Sequence, residues 1–142
     1  MSARLALLLV AGTVAGTVAG CAATRTRAPE SLAPTALTFP SELTRGSALS
    51  LARNTLRRAG WRAPSPAGDT LTTAWRETDA GPLRLVVSAA DTNGGASTLV
   101  TVHGEVRLGE AAVPVRDGPG AAWATVEAAA RHVGAEVRYA RP

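Results

Sequence analysis

Apolar residues recur with a helical period in two separate parts of the chain. Within residues 47–59 they return every three or four positions, as on one face of an amphipathic helix. Gly60 follows, and glycine is typical of the left-handed residue just beyond a helix end. Residues 121–133 repeat the same period and are followed by Gly134. The pattern predicts two helices, each ended by a glycine.

Between these helices, three stretches alternate apolar and polar residues with a period of two. They are residues 69–76, 83–90 and 97–108, and turn-forming residues separate them. In the first stretch Leu71, Thr73 and Trp75 share one predicted face. Such short connections favour antiparallel hairpins. Residues 37–39 and 135–139 are predicted as two further short edge strands.

These elements predict an α+β fold. We expect an antiparallel sheet of three to five strands with both helices packed on one face, in the order α-β-β-β-α-β, a helix-grip-like arrangement. After the leader described next, the chain keeps 142 − 20 = 122 residues, enough for one domain with a hydrophobic core of its own.

The amino-terminal stretch is a leader with a positive start at Arg4 and an apolar run over residues 5–19. That run is shorter than the roughly 20 apolar residues of a membrane-spanning helix, and small residues close it, as in a signal peptide. It ends in Val18, Ala19, Gly20 and Cys21, which resemble the lipobox of bacterial lipoproteins. The resemblance implies diacylglycerol on the Cys21 thiol, cleavage between Gly20 and Cys21, and a fatty acid such as palmitate on the new amino terminus.

The resemblance also implies a location. In bacteria with two membranes, a residue other than Asp after the lipidated cysteine, here Ala22, directs a lipoprotein to the outer membrane, facing the periplasm. The alternatives are an ordinary secretory signal in which Cys21 is incidental, or a transmembrane anchor. We therefore predict a signal peptide over residues 1–20, a lipidated cysteine and flexible tether over 21–40, and a periplasmic α+β domain over 41–142.

The charge and the cysteine content limit the classes of binding partner and the disulfides that the chain could form. The chain has 15 basic and 11 acidic residues, a net charge of +4, and its single cysteine leaves no partner for a disulfide. All the basic residues are arginines, and they are dispersed rather than clustered between aromatic residues as on a nucleic-acid surface. We expect a membrane partner through Cys21, a protein partner in the envelope, and no nucleic acid.

No set of residues has the spacing of a catalytic or metal site. His103 and His132 lack converging ligands, and we interpret both as surface residues. Ser88 and Ser97 lie near His103 in sequence, but no Gly-x-Ser-x-Gly motif is present. Glu77 and Asp79 flank a predicted turn, where Asp is common. The sequence predicts no enzyme, no metal and no cofactor.

Tryptophan and arginine are the remaining candidates for function. Trp61, Trp75 and Trp123 are predicted to mark the core, or one of them to line a groove for a peptide, glycan or lipid. The polar face of the first helix carries Arg53, Arg57 and Arg58, which we predict as a possible partner surface; the alternative is a solvated face.

A second resemblance covers about residues 41–139. The order of elements is similar to the helix-grip repeats of the C lipoprotein of the outer-membrane β-barrel assembly machine. It is carried by Ala59-Gly60-Trp61 and by Gly68-Asp69-Thr70-Leu71. We predict a non-enzymatic, accessory outer-membrane lipoprotein, an adaptor for envelope proteins. The alternative hypothesis is a small periplasmic lipoprotein that binds lipid or glycan.

Overall fold

A computed structural model describes residues 34–141. The predicted lipobox, with Val18, Ala19, Gly20 and Cys21, lies outside these residues. The described residues form six strands, two α-helices and a short 3-10 turn. In chain order the elements are β1 (Leu37–Ser41), α1 (Arg45–Arg58), β2 (Thr70–Thr72), β3 (Arg76–Thr78), β4 (Gly81–Thr92), the 3-10 turn (Asn93–Gly95), β5 (Ser97–Leu108), β6 (Ala111–Pro114) and α2 (Ala121–Tyr139).

The centre of the sheet is a long hairpin of β4 and β5. These strands pair from Leu83 opposite Val106 to Thr92 opposite Ser97. The outer side of β4 pairs with β2 and β3, and the outer side of β5 pairs with β1 and β6, all antiparallel. The predicted α+β class and antiparallel sheet are confirmed, with six strands in the place of three to five.

Both helices pack on one face of the sheet, as predicted. Alternate residues of the central hairpin, such as Leu85 of β4 and Val102 of β5, are fully buried there. Leu56 of α1 and Val126 and Val133 of α2 belong to the same buried cluster. Burying one such side chain contributes about 1.5–3 kcal/mol. The apolar residues that alternate in the strands and those that recur with the helical period in α1 and α2 therefore form one core.

Helix α1 is capped at its start by Thr44 and is followed by Gly60, the glycine end that its sequence predicts. The Thr44 hydroxyl accepts a hydrogen bond from the Ser47 N–H at 3.3 Å, which caps the first turn. At the other end Gly60 has a φ of +85°, a left-handed conformation that costs glycine little. The Trp61 N–H then donates to the Leu56 carbonyl at 2.9 Å. This turn places the Trp61 side chain in the core, where it is buried.

Helix α2 corrects two predictions. It continues through Gly134 to Tyr139, so the expected final strand over residues 135–139 is helix. Gly134 is not a helix end, because its missing side chain makes room for the Phe39 ring of β1; a Cβ there would overlap that ring. Val137, one turn onward, is fully buried, and its carbonyl accepts a hydrogen bond from the Ser41 hydroxyl at 2.8 Å.

The sheet begins within the segment that the sequence assigns to the tether. Strand β1 runs from Leu37 through Pro40 to Ser41, beyond the predicted edge strand at residues 37–39. Just before it, the Thr35 N–H donates to the Val115 carbonyl at 3.2 Å. The last residues of the predicted tether are therefore part of the fold.

A bulge between β2 and β3 moves Trp75 away from its predicted face. Thr72 pairs with Val86 and Arg76 with Leu83, so three residues of the edge lie opposite two residues of β4. An extra residue on one strand reverses the faces that follow, since side chains alternate with a period of two. Leu71 and Thr73 are buried as predicted, whereas Trp75 is half-exposed.

Candidate functional site

The face of the sheet opposite the helices is the first candidate surface. No helix of the described residues packs on it, and we call it the uncovered face. Most of its side chains are partly exposed, and neighbours within the sheet shield the rest of their area. It carries Thr38, Thr70, Thr72, Trp75, Arg84, Val86, Ser88, Leu99, Thr101, His103, Glu105, Arg107 and Ala112.

Four residues of the uncovered face form an aromatic–arginine cluster: Trp75, Arg84, Glu105 and Arg107. The Arg84 guanidinium carbon lies 4.5 Å from the centre of the Trp75 ring, and that of Arg107 lies 6.0 Å from it. Arg84 is also ion-paired with Glu105, its direct cross-strand neighbour, and these side chains are only 30% and 20% exposed. Because Arg84 contacts both the Trp75 ring and the Glu105 carboxylate, these three side chains restrain one another before any ligand binds.

Next to this cluster, His103 lies half-buried on the same face. Burial lowers the pKa of His103 below its usual value, and the nearby Glu105 carboxylate opposes that shift. The burial effect is the larger of the two, since an imidazolium loses hydration there. At neutral pH the side chain is therefore the uncharged imidazole. It lies on the uncovered face, two residues from Glu105 along β5.

Two of the three predicted surface arginines share a groove. Arg53 and Arg57 of α1 line it together with Arg62, which follows the helix end. We call it the arginine groove; its volume is about 540 Å³ and its other lining residues are Ala63, Pro64, Thr72, Thr73 and Ala74. Arg58 instead turns toward α2, where it pairs with Glu136 at 3.5 Å. Arg62 belongs to no sequence motif, and its only signal in the sequence is its position directly after the helix.

A second groove of about 660 Å³ lies between the end of α1, the β3–β4 turn and α2. Trp61 forms one wall, and Arg76 stacks over its ring at 5.0 Å while donating to the Ala59 carbonyl at 3.3 Å. Asp79 and His132 also line this groove. His132 lies within α2 rather than at its end, because the helix continues to Tyr139.

The remaining polar candidates do not converge. The Ser97 hydroxyl shares a hydrogen bond with Thr92, and no hydrogen bond joins His103 to Ser88 or Ser97 among residues 34–141. In the same range no group of three or more His, Cys, Asp or Glu side chains could hold a metal ion. The structure thus brings together arginines and an aromatic ring, groups suited to recognition.

No protein-family model matches the chain, and no curated protein matches it. In the part of the chain that the structure describes, no helix is both long and apolar enough to cross a membrane.

Proposed function

We propose that this chain is a lipid-anchored, non-enzymatic accessory protein that binds another protein of the bacterial envelope. The lipobox-like residues Val18 to Cys21 support an outer-membrane anchor on the periplasmic side. The observation that carries the binding function is the aromatic–arginine cluster on the uncovered face. Tryptophan and arginine are the residue types most enriched among those that dominate protein–protein binding energies.

The chemistry of this cluster defines the partner surface. Trp75 presents a half-exposed ring, and Arg84 and Arg107 outnumber the single carboxylate of Glu105. A matching protein surface offers an apolar or aromatic side chain for the ring and a carboxylate for the excess positive charge. Addition of a strand at the outer edge of β1 is a poorer mode of binding, because Pro40 interrupts the N–H donors of that strand.

Site-specific photo-crosslinking in the native host tests the proposal. A photoreactive amino acid at Ala112, which lies opposite Arg107 on the uncovered face, is expected to capture one envelope protein. The same amino acid at Ala128, exposed on α2, is the matched control and is expected to capture none. Trp75→Ala is expected to abolish the crosslink from position 112, and Cys21→Ala to reduce it by releasing the anchor.

The captured protein, once identified and purified, is expected to bind the wild-type chain and to bind Trp75→Ala at least about tenfold more weakly. Equal crosslinking from positions 112 and 128, or a crosslink that survives Trp75→Ala, would show that the uncovered face is not the docking surface.

The alternative, a small lipoprotein that binds lipid or glycan, is favoured by one observation: the arginine groove has the volume of an ordinary ligand site.

A further inference from the structure

The arginine groove collects three positive charges that have no acidic partner. None of its lining residues is Asp or Glu. Seven other arginines among residues 34–141 pair with a carboxylate or stack on a ring, namely Arg45, Arg58, Arg76, Arg84, Arg107, Arg131 and Arg138. Arg53, Arg57 and Arg62 have neither kind of partner. Like charges four residues apart on a helix, as in Arg53 and Arg57, repel each other. An anion in the groove would relieve that repulsion.

Part of the groove is held in place before a ligand binds. Arg53 donates its Nε–H to the Ala63 carbonyl at 3.1 Å, which orients the guanidinium and leaves its terminal amino groups available to a ligand. The main chain of Arg62 is tied to the sheet, because its carbonyl accepts the Ala74 N–H at 2.8 Å. One cation thus comes from the middle of α1, one from its last turn and one from the loop beyond. A basic residue in the last turn interacts favourably with the negative end of the helix dipole, which accounts for Arg57. It does not account for Arg53 or Arg62.

We propose that the arginine groove binds a phosphoryl group carried by an organic molecule. Guanidinium groups are planar forks that match phosphate oxygens with paired, charge-assisted hydrogen bonds. The volume of about 540 Å³ exceeds the needs of a bare ion, and Ala63, Pro64 and Ala74 give the groove an apolar side for the rest of the ligand. The phosphoryl group comes from a soluble phosphate monoester or from the headgroup of an anionic phospholipid.

Arginine footprinting on the full chain tests this proposal. Phenylglyoxal modifies accessible arginines, and mass spectrometry measures the rate at each position. In neutral detergent, glycerol 3-phosphate is expected to slow modification of Arg57 and Arg62 and to leave Arg131 unchanged. In vesicles, replacing part of the phosphatidylcholine by phosphatidylglycerol is expected to give the same protection if the source is a headgroup. Protection in either arm supports the proposal, and protection in only one of the two arms identifies the source.

Variants separate a built site from general positive charge. Arg57→Gln and Arg62→Gln, both at exposed positions, are each expected to weaken glycerol 3-phosphate binding by about tenfold. Arg58→Gln removes the same charge from the same turn of α1 but not from the groove, and is expected to leave binding within about twofold. The proposal is overturned if Arg58→Gln weakens binding as much as Arg57→Gln. It is also overturned if chloride at equal ionic strength protects equally, or if neither ligand protects.

This site does not depend on the proposed protein partner. Footprinting of the groove and crosslinking from position 112 report on different residues, so either proposal can fail while the other holds.

Discussion

The two faces of the sheet are built from the same strands and have opposite chemistry. On the face toward the helices, Leu83, Leu85 and Val87 of β4 are fully buried against apolar neighbours. On the uncovered face the intervening positions carry Arg84, Val86 and Ser88, all partly exposed. One strand thus supplies the core with every second residue and a recognition surface with the others. Consequently, substitutions at adjacent positions are expected to differ sharply in their effect on stability.

Adjacent residues of β4 give the largest expected contrast. Leu85→Ala leaves a cavity in a fully buried site and is expected to lower the free energy of unfolding by about 2–5 kcal/mol. Val86→Ala, one residue onward on the uncovered face, is expected to cost less than about 1 kcal/mol. Urea unfolding of the full chain, followed by tryptophan fluorescence, measures both. Similar losses would mean that Val86 is as deeply buried as Leu85, and that another part of the protein covers this face of the sheet.

A glycine on the helix-facing side gives the next contrast. A Cβ at Gly104 of β5 would overlap a methyl group of Val126, which is fully buried in α2. Gly104→Ala is therefore expected to destabilise the fold by about 1–3 kcal/mol through overpacking. Gly46→Ala, at an open position in α1, is the matched control and is expected to be neutral or to stabilise by up to about 1 kcal/mol.

The same glycine allows a test of cause. Val126→Ala removes the methyl group that the new Cβ would overlap. The double variant Gly104→Ala, Val126→Ala is therefore expected to lose less free energy of unfolding than the sum of the two single losses. Strict additivity would show that the overlap with Val126 is not what makes glycine necessary at position 104.

The smallest expected effect is a pH dependence on the uncovered face. Because burial lowers the folded-state pKa of His103, the unfolded chain binds more protons between that value and about 6.5. The free energy of unfolding is therefore expected to fall as the pH drops from neutral through this window. His103→Gln is expected to flatten the dependence. Urea midpoints measured at several pH values compare the two proteins.

Local patterns predicted much of the fold because their causes are local. The Gly60 end of α1 follows from its left-handed backbone, and the burial of Leu71, Leu85 and Val102 follows from alternation with a period of two. The same logic predicted both helices on one face of an antiparallel sheet.

The candidate sites were harder to predict because they depend on contacts between distant parts of the chain. Trp75 was expected on the face of Leu71, and the bulge that moves it depends on pairing with β4. The helical pattern predicts Arg53, Arg57 and Arg58 together on the polar face of α1. In the structure Arg58 does not line the groove, and Arg62 takes the third position because the chain turns at Gly60.

The sequence by itself determined the α+β class, the single apolar face of the central hairpin and the glycine end of the first helix, since hydrophobic period and backbone preference act over a few residues. Only the tertiary structure decided that α2 passes through Gly134, that Trp75 faces away from the helices, and which arginines meet. Each of these depends on a long-range fit: the Phe39 ring against Gly134, an extra residue opposite β4, and a loop held beside α1.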